Sequence, residues 1–273
     1  MTEKTNKAAS TVRSGAVSLD RSPVLQGLAR SGFAVNGVIH ILIGGIALSI
    51  AFGGGGDADQ GGALGKIASY PFGVVALWVL VVGLAGLGVF QLVQAALVRG
   101  TDKKKWAERL KEAAKGIVYL AVGVTASTYA LGGGTDSGQQ SSSFSATLMQ
   151  SPGGVVLLVV VAVVVMAVGV YFVVKGMRKK FLDELVLPDR TWRRAATVLG
   201  VTGYVAKGIA IFVVGVLFIA AVVTADPSEA TGLDGALKSL AELPAGVVVL
   251  TIIAVGLIAY GVFCFVRARF RTQ

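Results

Sequence analysis

Few side chains in this sequence could do chemistry, and most of those are cations. Lys207 interrupts an otherwise apolar run, "VTGYVAKGIAIFVVG" (201–215). Lys115 holds the same place in "EAAKGIVYLAVG" (112–123), and Asn36 in "FAVNGVIHILIG" (33–44). A second set, Gln94, Lys175 and Arg267, closes other apolar runs. An ammonium or guanidinium at such a place either snorkels to the headgroup level or holds an anion, such as a lipid headgroup or the acidic surface of a partner. His40 is the one histidine and lies one turn after Asn36. A lone imidazole without nearby carboxylates cannot build a metal site. Its readings are a hydrogen bond to Asn36 or a neighbouring helix, and a proton relay. Cys264 is the one cysteine, so no internal disulfide forms, and it reads as a small apolar residue. There is no carboxylate pair, no Ser/His/Asp set and no phosphate loop opening a helix after a strand. The sequence therefore predicts no catalytic, cofactor-binding or metal-ligating residues, and a chain that is not an enzyme.

The elements that must position these groups are set by composition. The 273 residues are 54% hydrophobic and 15% charged, against about 25% charged in a soluble domain. The apolar material falls into six blocks: 31–52, 72–98, 113–131, 153–174, 198–224 and 245–266. Each approaches the roughly 20 residues that cross a hydrocarbon core about 30 Å thick. Strands in a membrane alternate apolar with polar residues and close into a barrel. "VVLLVVVAVVVMAVGV" (155–170) does not alternate, so the spans are helices and the fold class is all-α, a polytopic membrane protein. The first 24 residues are polar and mixed in charge, with no secretory leader pattern, and read as a disordered tail.

Charge sets orientation. Of the 25 basic residues, all but Lys66 and Lys238 fall in the N-terminal tail, the second and fourth connections with the segments that flank them, and the C-terminal end. Basic loops stay in the cytoplasm, which places both termini there. The net charge of +10 is then explained by topology and anionic lipid, and nucleic-acid binding, which needs an exposed basic reading element, is not expected.

The runs around Asn36, Lys115 and Lys207 are copies of one unit. Aligning Gly37, Gly116 and Gly208 brings Gly44, Gly123 and Gly215 into register seven residues later. The even spans align on "YPFGVV", "SPGGVV" and "LPAGVV", and further along on Gly88, Gly169 and Gly261. A repeat of about 80 to 90 residues follows, with boundaries at 25–100, 101–180 and 181–273. Two crossings per unit return the chain to its starting side, so the units run parallel about a pseudo-threefold axis along the membrane normal. The glycines are expected to let helix backbones approach closely, the usual basis of association in lipid. Pro71, Pro152 and Pro244 are expected in the first turn of each even helix. Ahead of them, amphipathic pieces at 62–70, 144–151 and 233–243 are expected as short helices on the outer surface, with Phe144 and Leu148 on the apolar face of the second.

"GYVAKGIAIFVVG" and "AAKGIVYLAVG", each followed by a second span opened by Pro-x-Gly, resemble a bacterial, largely actinobacterial, family known as the domain of unknown function 1206 family, built from three two-span repeats. The resemblance runs from about residue 25 to 270. Repeat one departs from the motif in carrying Asn36 where the others carry lysine. The resemblance implies a multi-pass protein of the bacterial inner membrane and transfers no activity, cofactor or catalytic residue. The leading functional expectation is a structural, accessory or interaction protein. Its basic cytoplasmic face would bind anionic lipid or another membrane protein complex through a cup formed by Asn36, Lys115 and Lys207 with Gln94, Lys175 and Arg267. The alternative is a small-solute transporter or channel along the pseudo-threefold axis, with Asn36, His40, Gln91 and Gln94 as polar lining.

Overall fold

The computed structural model describes residues 23–98, 102–134 and 136–270. The fold is all-α, with nine α-helices among the described residues. Six are long: α1 (Pro23–Ala51), α3 (Gly73–Leu97), α4 (Lys103–Ala130), α6 (Pro152–Met177), α7 (Arg190–Thr224) and α9 (Gly246–Phe270). Three short ones, α2 (Gln60–Ala68), α5 (Ser137–Met149) and α8 (Gly232–Glu242), precede the even spans. The expected disordered tail lies outside the described residues, apart from its last two, with which α1 begins.

Five of the six long helices are long and apolar enough to cross a membrane. The sixth, α4, spans 28 residues but is more polar, because its first half carries the charges of "KKKWAERLKEAAK" (103–115) and Thr125, Ser127 and Thr128 interrupt its apolar half. Their hydroxyls donate to the carbonyls of Ala121 and Val124 one turn back, at 2.7 to 3.2 Å. These bonds satisfy the hydroxyls within the helix, which makes them tolerable in hydrocarbon.

The closest helix pairs cross the repeat boundaries: α3 with α4, α6 with α7, and α9 with α1. Each odd helix packs on the even helix of the preceding repeat, and α9 on α1 closes the cycle. The aligned glycines make these contacts. A methyl group on Gly37 would stand 2.8 Å from the Gly261 carbonyl oxygen, and one on Gly261 2.5 Å from that of Gly37. Gly116 and Gly88 face each other in the same way at 3.0 and 3.2 Å, and Gly208 and Gly169 at 2.6 and 2.7 Å. Of the second glycines, Gly44 abuts the Ala254 carbonyl at 2.7 Å and Gly215 that of Ala162 at 2.9 Å, whereas Gly123 has slack, its nearest neighbour being Leu84 Cβ at 3.5 Å.

The seams between these three pairs are unequal. α7 and α9 pack along their length; α1 and α3 meet at a few points and α4 and α6 hardly at all. The short helices cap the bundle. Leu64 of α2 joins Leu77, Ala126 and Tyr129, and Leu237 and Leu240 of α8 join the core of α1 and α9. They are thus packed onto the protein end as well as amphipathic. In α5 the buried residue is Ser145, while Phe144 is 53% exposed.

The three prolines behave differently. Pro152 sits in the first turn of α6, where Ser151 Oγ accepts the Gly154 N–H at 3.1 Å. Tyr70 and Leu243 hold the position of Ser151 in the other repeats and have no short oxygen to offer the helix. There Phe72 and Ala245 turn through the left-handed region (φ 65 and 61), and the helices start two residues after the proline, at Gly73 and Gly246. Those glycines are required because a Cβ would strike the terminal carbonyls of the short helix, Ile67 and Ala241.

Candidate functional site

The end of the bundle where α6 turns into α7 gathers several of the expected cations and neutralises them. Lys179 takes a left-handed conformation (φ 55) and stops α6, and a 3-10 turn, Lys180–Glu184, follows. Its Phe181 is buried against Tyr204 and Phe263 at centroid distances of 5.3 and 5.0 Å. That anchor carries Glu184 between Lys175 and Arg267. Lys175 Nζ donates to Glu184 Oε1 at 2.9 Å, and the Arg267 guanidinium donates to Glu184 Oε2. Arg267 also donates to the Tyr204 hydroxyl at 3.3 Å and lies 4.5 Å over the Phe33 ring. Gln94, the symmetry mate of these two cations, is half-buried on α3 and stands outside the clasp. Lys115 pairs with Glu112 on its own helix at 2.8 Å. Of the six expected cup residues, three cations thus already hold carboxylates, Lys175 and Arg267 on Glu184 and Lys115 on Glu112.

Lys207 is different. Its ammonium lies 4.4 Å from the Tyr260 ring centroid and 5.3 Å from that of Phe172. Among the described residues no carboxylate pairs with it. An ammonium carries three donors, and aromatic faces accept charge without spending them. Lys207 is half-buried, so part of the several-kcal/mol cost of taking an ammonium out of water falls on it, and each cation–π contact returns about 0.5–2 kcal/mol.

Beside Lys207 the symmetry mates of its helix assemble an asymmetric polar group. Asn36 Nδ2 donates to Cys264 Sγ at 3.3 Å. His40 meets the Asn36 carbonyl oxygen through Nδ1 at 2.8 Å, so Nδ1 carries a proton, and its ring leans on Tyr260 at 4.7 Å. The expected hydrogen bond from His40 to Asn36 is thus made to the backbone. Asn36, His40, Tyr119 and Lys207 all line one cavity of about 530 Å³. Its walls are otherwise largely apolar: Val35, Ile39 and Ile43 from α1, Leu80, Leu84 and Leu87 from α3, and Val118 and Val122 from α4. Gln60 and Leu233 reach it from the end that bears the short helices. Gln91 and Gln94, expected on a polar path, do not line it. The cavity occupies the loose seam between α1 and α3.

Sequence reasoning missed the Glu184 clasp and the aromatic half-cage. The signal for the first was an acid within the basic connection "KKFLDELVLPDR". The second needs Phe172 of α6 and Tyr260 of α9 brought against Lys207 of α7, which no local pattern announces. At the opposite end Asp234 ties α8 to the loop after α1: its Oδ1 accepts the Ala58 N–H at 2.8 Å and its Oδ2 the Lys238 ammonium at 2.6 Å. Burial pulls the Lys238 pKa down, but the hydrogen bond to Asp234 and the charges of Asp234 and Asp57 outweigh it and raise it. Among the described residues no three His, Cys, Asp or Glu side chains gather as metal ligands.

The family model described as Domain of Unknown Function (DUF1206) matches the chain three times, at residues 31–97, 110–179 and 202–271. Each stretch falls within one of the three repeats. A protein of Bacillus subtilis (strain 168), described as "Uncharacterized protein YxxB", is 26% identical over 253 residues, which cover 91% of this chain and 92% of that protein. No solved structure matches.

Proposed function

The chain belongs to the family described as Domain of Unknown Function (DUF1206), and we propose that it is a non-enzymatic accessory protein of the bacterial inner membrane that engages anionic lipid, or a membrane partner, through its basic end. That end faces the cytoplasm in this reading. The observation that carries it is the set of solvated cations left over once the internal clasps are made: Lys103, Lys111, Lys180, Arg190, Arg193 and Arg194 are all exposed. Each such cation near an anionic leaflet contributes about 1 kcal/mol. The test is purification from native membranes in mild detergent, with identification of retained lipids and proteins. Anionic lipid is expected to be retained at low salt and lost when Lys180, Arg193 and Arg194 are replaced by glutamine. Recovery of the bare protein overturns the reading. For orientation, single cysteines at Gly54 and Lys103 in a Cys264→Ser background are expected to label from opposite sides of the membrane.

A second reading, passage of a small polar solute, is favoured by Asn36, His40 and Tyr119 facing one cavity. It requires a polar route onward to Gln60. By helix position Ile43, Leu80, Leu84 and Val122 occupy that route, which supports the accessory reading instead.

A further inference from the structure

We propose that the intramembrane cavity is a binding site for a single-chain anionic amphiphile, with its carboxylate or phosphate head on Lys207 and its chain along the α1, α3 and α4 walls. This site is distinct from the basic surface described above and shares no residue with it. Three observations converge. The cavity of about 530 Å³ is within the usual 300–1,000 Å³ of small-molecule sites. Its charge is confined to one place: among the described residues Lys207 is the one cation that lines it, and no carboxylate does. Among the described residues the ammonium spends no donor on a protein acceptor, because its neighbours are the faces of Tyr260 and Phe172. A site that already held its own counter-ion would resemble the Glu184 clasp, and this one does not.

The arrangement of the walls gives the ligand its direction. Lys207 and Asn36 occupy equivalent positions, one residue before the aligned packing glycines Gly208 and Gly37, at one level near the basic end. His40 and Tyr119 stand one turn above them, as hydrogen-bonding neighbours for a head group. From there Ile43, Leu84 and Leu80 continue toward the opposite end and present only apolar surface. A hydrated inorganic anion would leave that length empty or wet, and a neutral chain would leave Lys207 unpaired. An anion that carries one hydrocarbon chain satisfies both halves. Both fatty carboxylates and monoalkyl or monoprenyl phosphates have this chemistry.

The test uses the full chain purified in a neutral maltoside detergent, with one-to-one binding read by native mass spectrometry and by the thermal midpoint. Oleate and dodecyl phosphate are the two anionic arms, and the one that binds more tightly identifies the head group. Dodecanol, dodecyltrimethylammonium and inorganic phosphate are the controls. At least one anionic amphiphile is expected to bind saturably at one per chain and raise the midpoint, and the three controls are not. Lys207→Met is expected to lower that affinity about tenfold to a hundredfold, the loss of a charge-assisted hydrogen bond, and Lys207→Arg to restore part of it. Leu84→Trp, which fills the cavity and leaves Lys207 in place, is expected to abolish binding, so the proposal stays testable if Lys207→Met fails to fold. Replacing Lys180, Arg193 and Arg194 with glutamine is expected to leave it unchanged, which separates this site from the lipid surface. Equal binding of dodecanol, equal binding of inorganic phosphate, binding of neither anionic amphiphile, or unchanged affinity in folded Lys207→Met overturns the proposal.

Discussion

A single methyl group distinguishes the glycines that hold this molecule together from those that merely recur. Gly208 and Gly169 face each other's carbonyl oxygens at 2.6 and 2.7 Å from an added Cβ. Gly208→Ala must therefore push α6 and α7 apart, and overpacking of this kind costs about 1–3 kcal/mol. Gly123 occupies the equivalent of Gly215 in repeat two, but its Cβ position has ordinary contact distance to Leu84. There alanine removes backbone freedom from the unfolded chain and is expected to be neutral or to stabilise by about 0.5–1 kcal/mol. Thermal unfolding of the two variants in the same detergent checks the contrast, and equal destabilisation would mean that Gly123 is packed as tightly as Gly208. The identity of these residues was legible because close backbone approach in lipid demands glycine at fixed spacing. Their partners were not, because nothing in a linear pattern says that Gly37 meets Gly261. Glu184 was invisible for a related reason: an acid in a basic loop reads as solvated until Phe181 is seen to anchor the turn that aims it.

The helices follow the sequence closely at their centres and less closely at their starts. The aligned Pro-x-Gly motif predicted three identical helix beginnings, and the structure has two kinds. The deciding residue is the one before the proline, where Ser151 caps α6 while Tyr70 and Leu243 cannot cap α3 and α9. Chain direction is recovered in those two repeats by a left-handed residue, Phe72 or Ala245. A non-glycine residue in that region costs about 1–2 kcal/mol. Ala245→Gly is accordingly expected to raise stability by about 1 kcal/mol, since nothing else need move. Ser151→Ala removes a cap and is expected to lower it by about 1 kcal/mol. Opposite shifts of the unfolding midpoint in the two single variants support this account, and shifts of the same sign refute it. The signal was present in the three residues Tyr70, Ser151 and Leu243, but the repeat alignment drew attention to what is shared and away from what differs.

At the scale of the whole molecule the three repeats specify a ring, and the differences among them decide where the ring is filled. Five residues before its packing glycines, repeat three has Gly203 and Gly256, repeat one has Gly32 and Gly83, and repeat two has Lys111 and Val164. In repeat three these residues close the seam between α7 and α9: a Cβ on Gly203 would lie 2.5 Å from Tyr260 Cα, and one on Gly256 would strike Ala206. In repeat one the same glycines meet nothing within 4 Å, and the seam between α1 and α3 is the cavity. The sequence thus carries two seams of one kind, and only three-dimensional packing shows that one is shut and the other open. The consequence is measurable. Gly256→Leu is expected to destabilise the protein by about 1–3 kcal/mol or more through overpacking, whereas Gly83→Leu is expected to leave the thermal midpoint unchanged or raised, as removal of a helix glycine does. Gly32 lines the cavity, so Gly32→Leu is expected to keep the fold while weakening whatever amphiphile the cavity holds. Equal loss of stability in Gly83→Leu and Gly256→Leu would mean that the seam of repeat one is packed in the membrane as tightly as that of repeat three, and would leave no room there for a ligand.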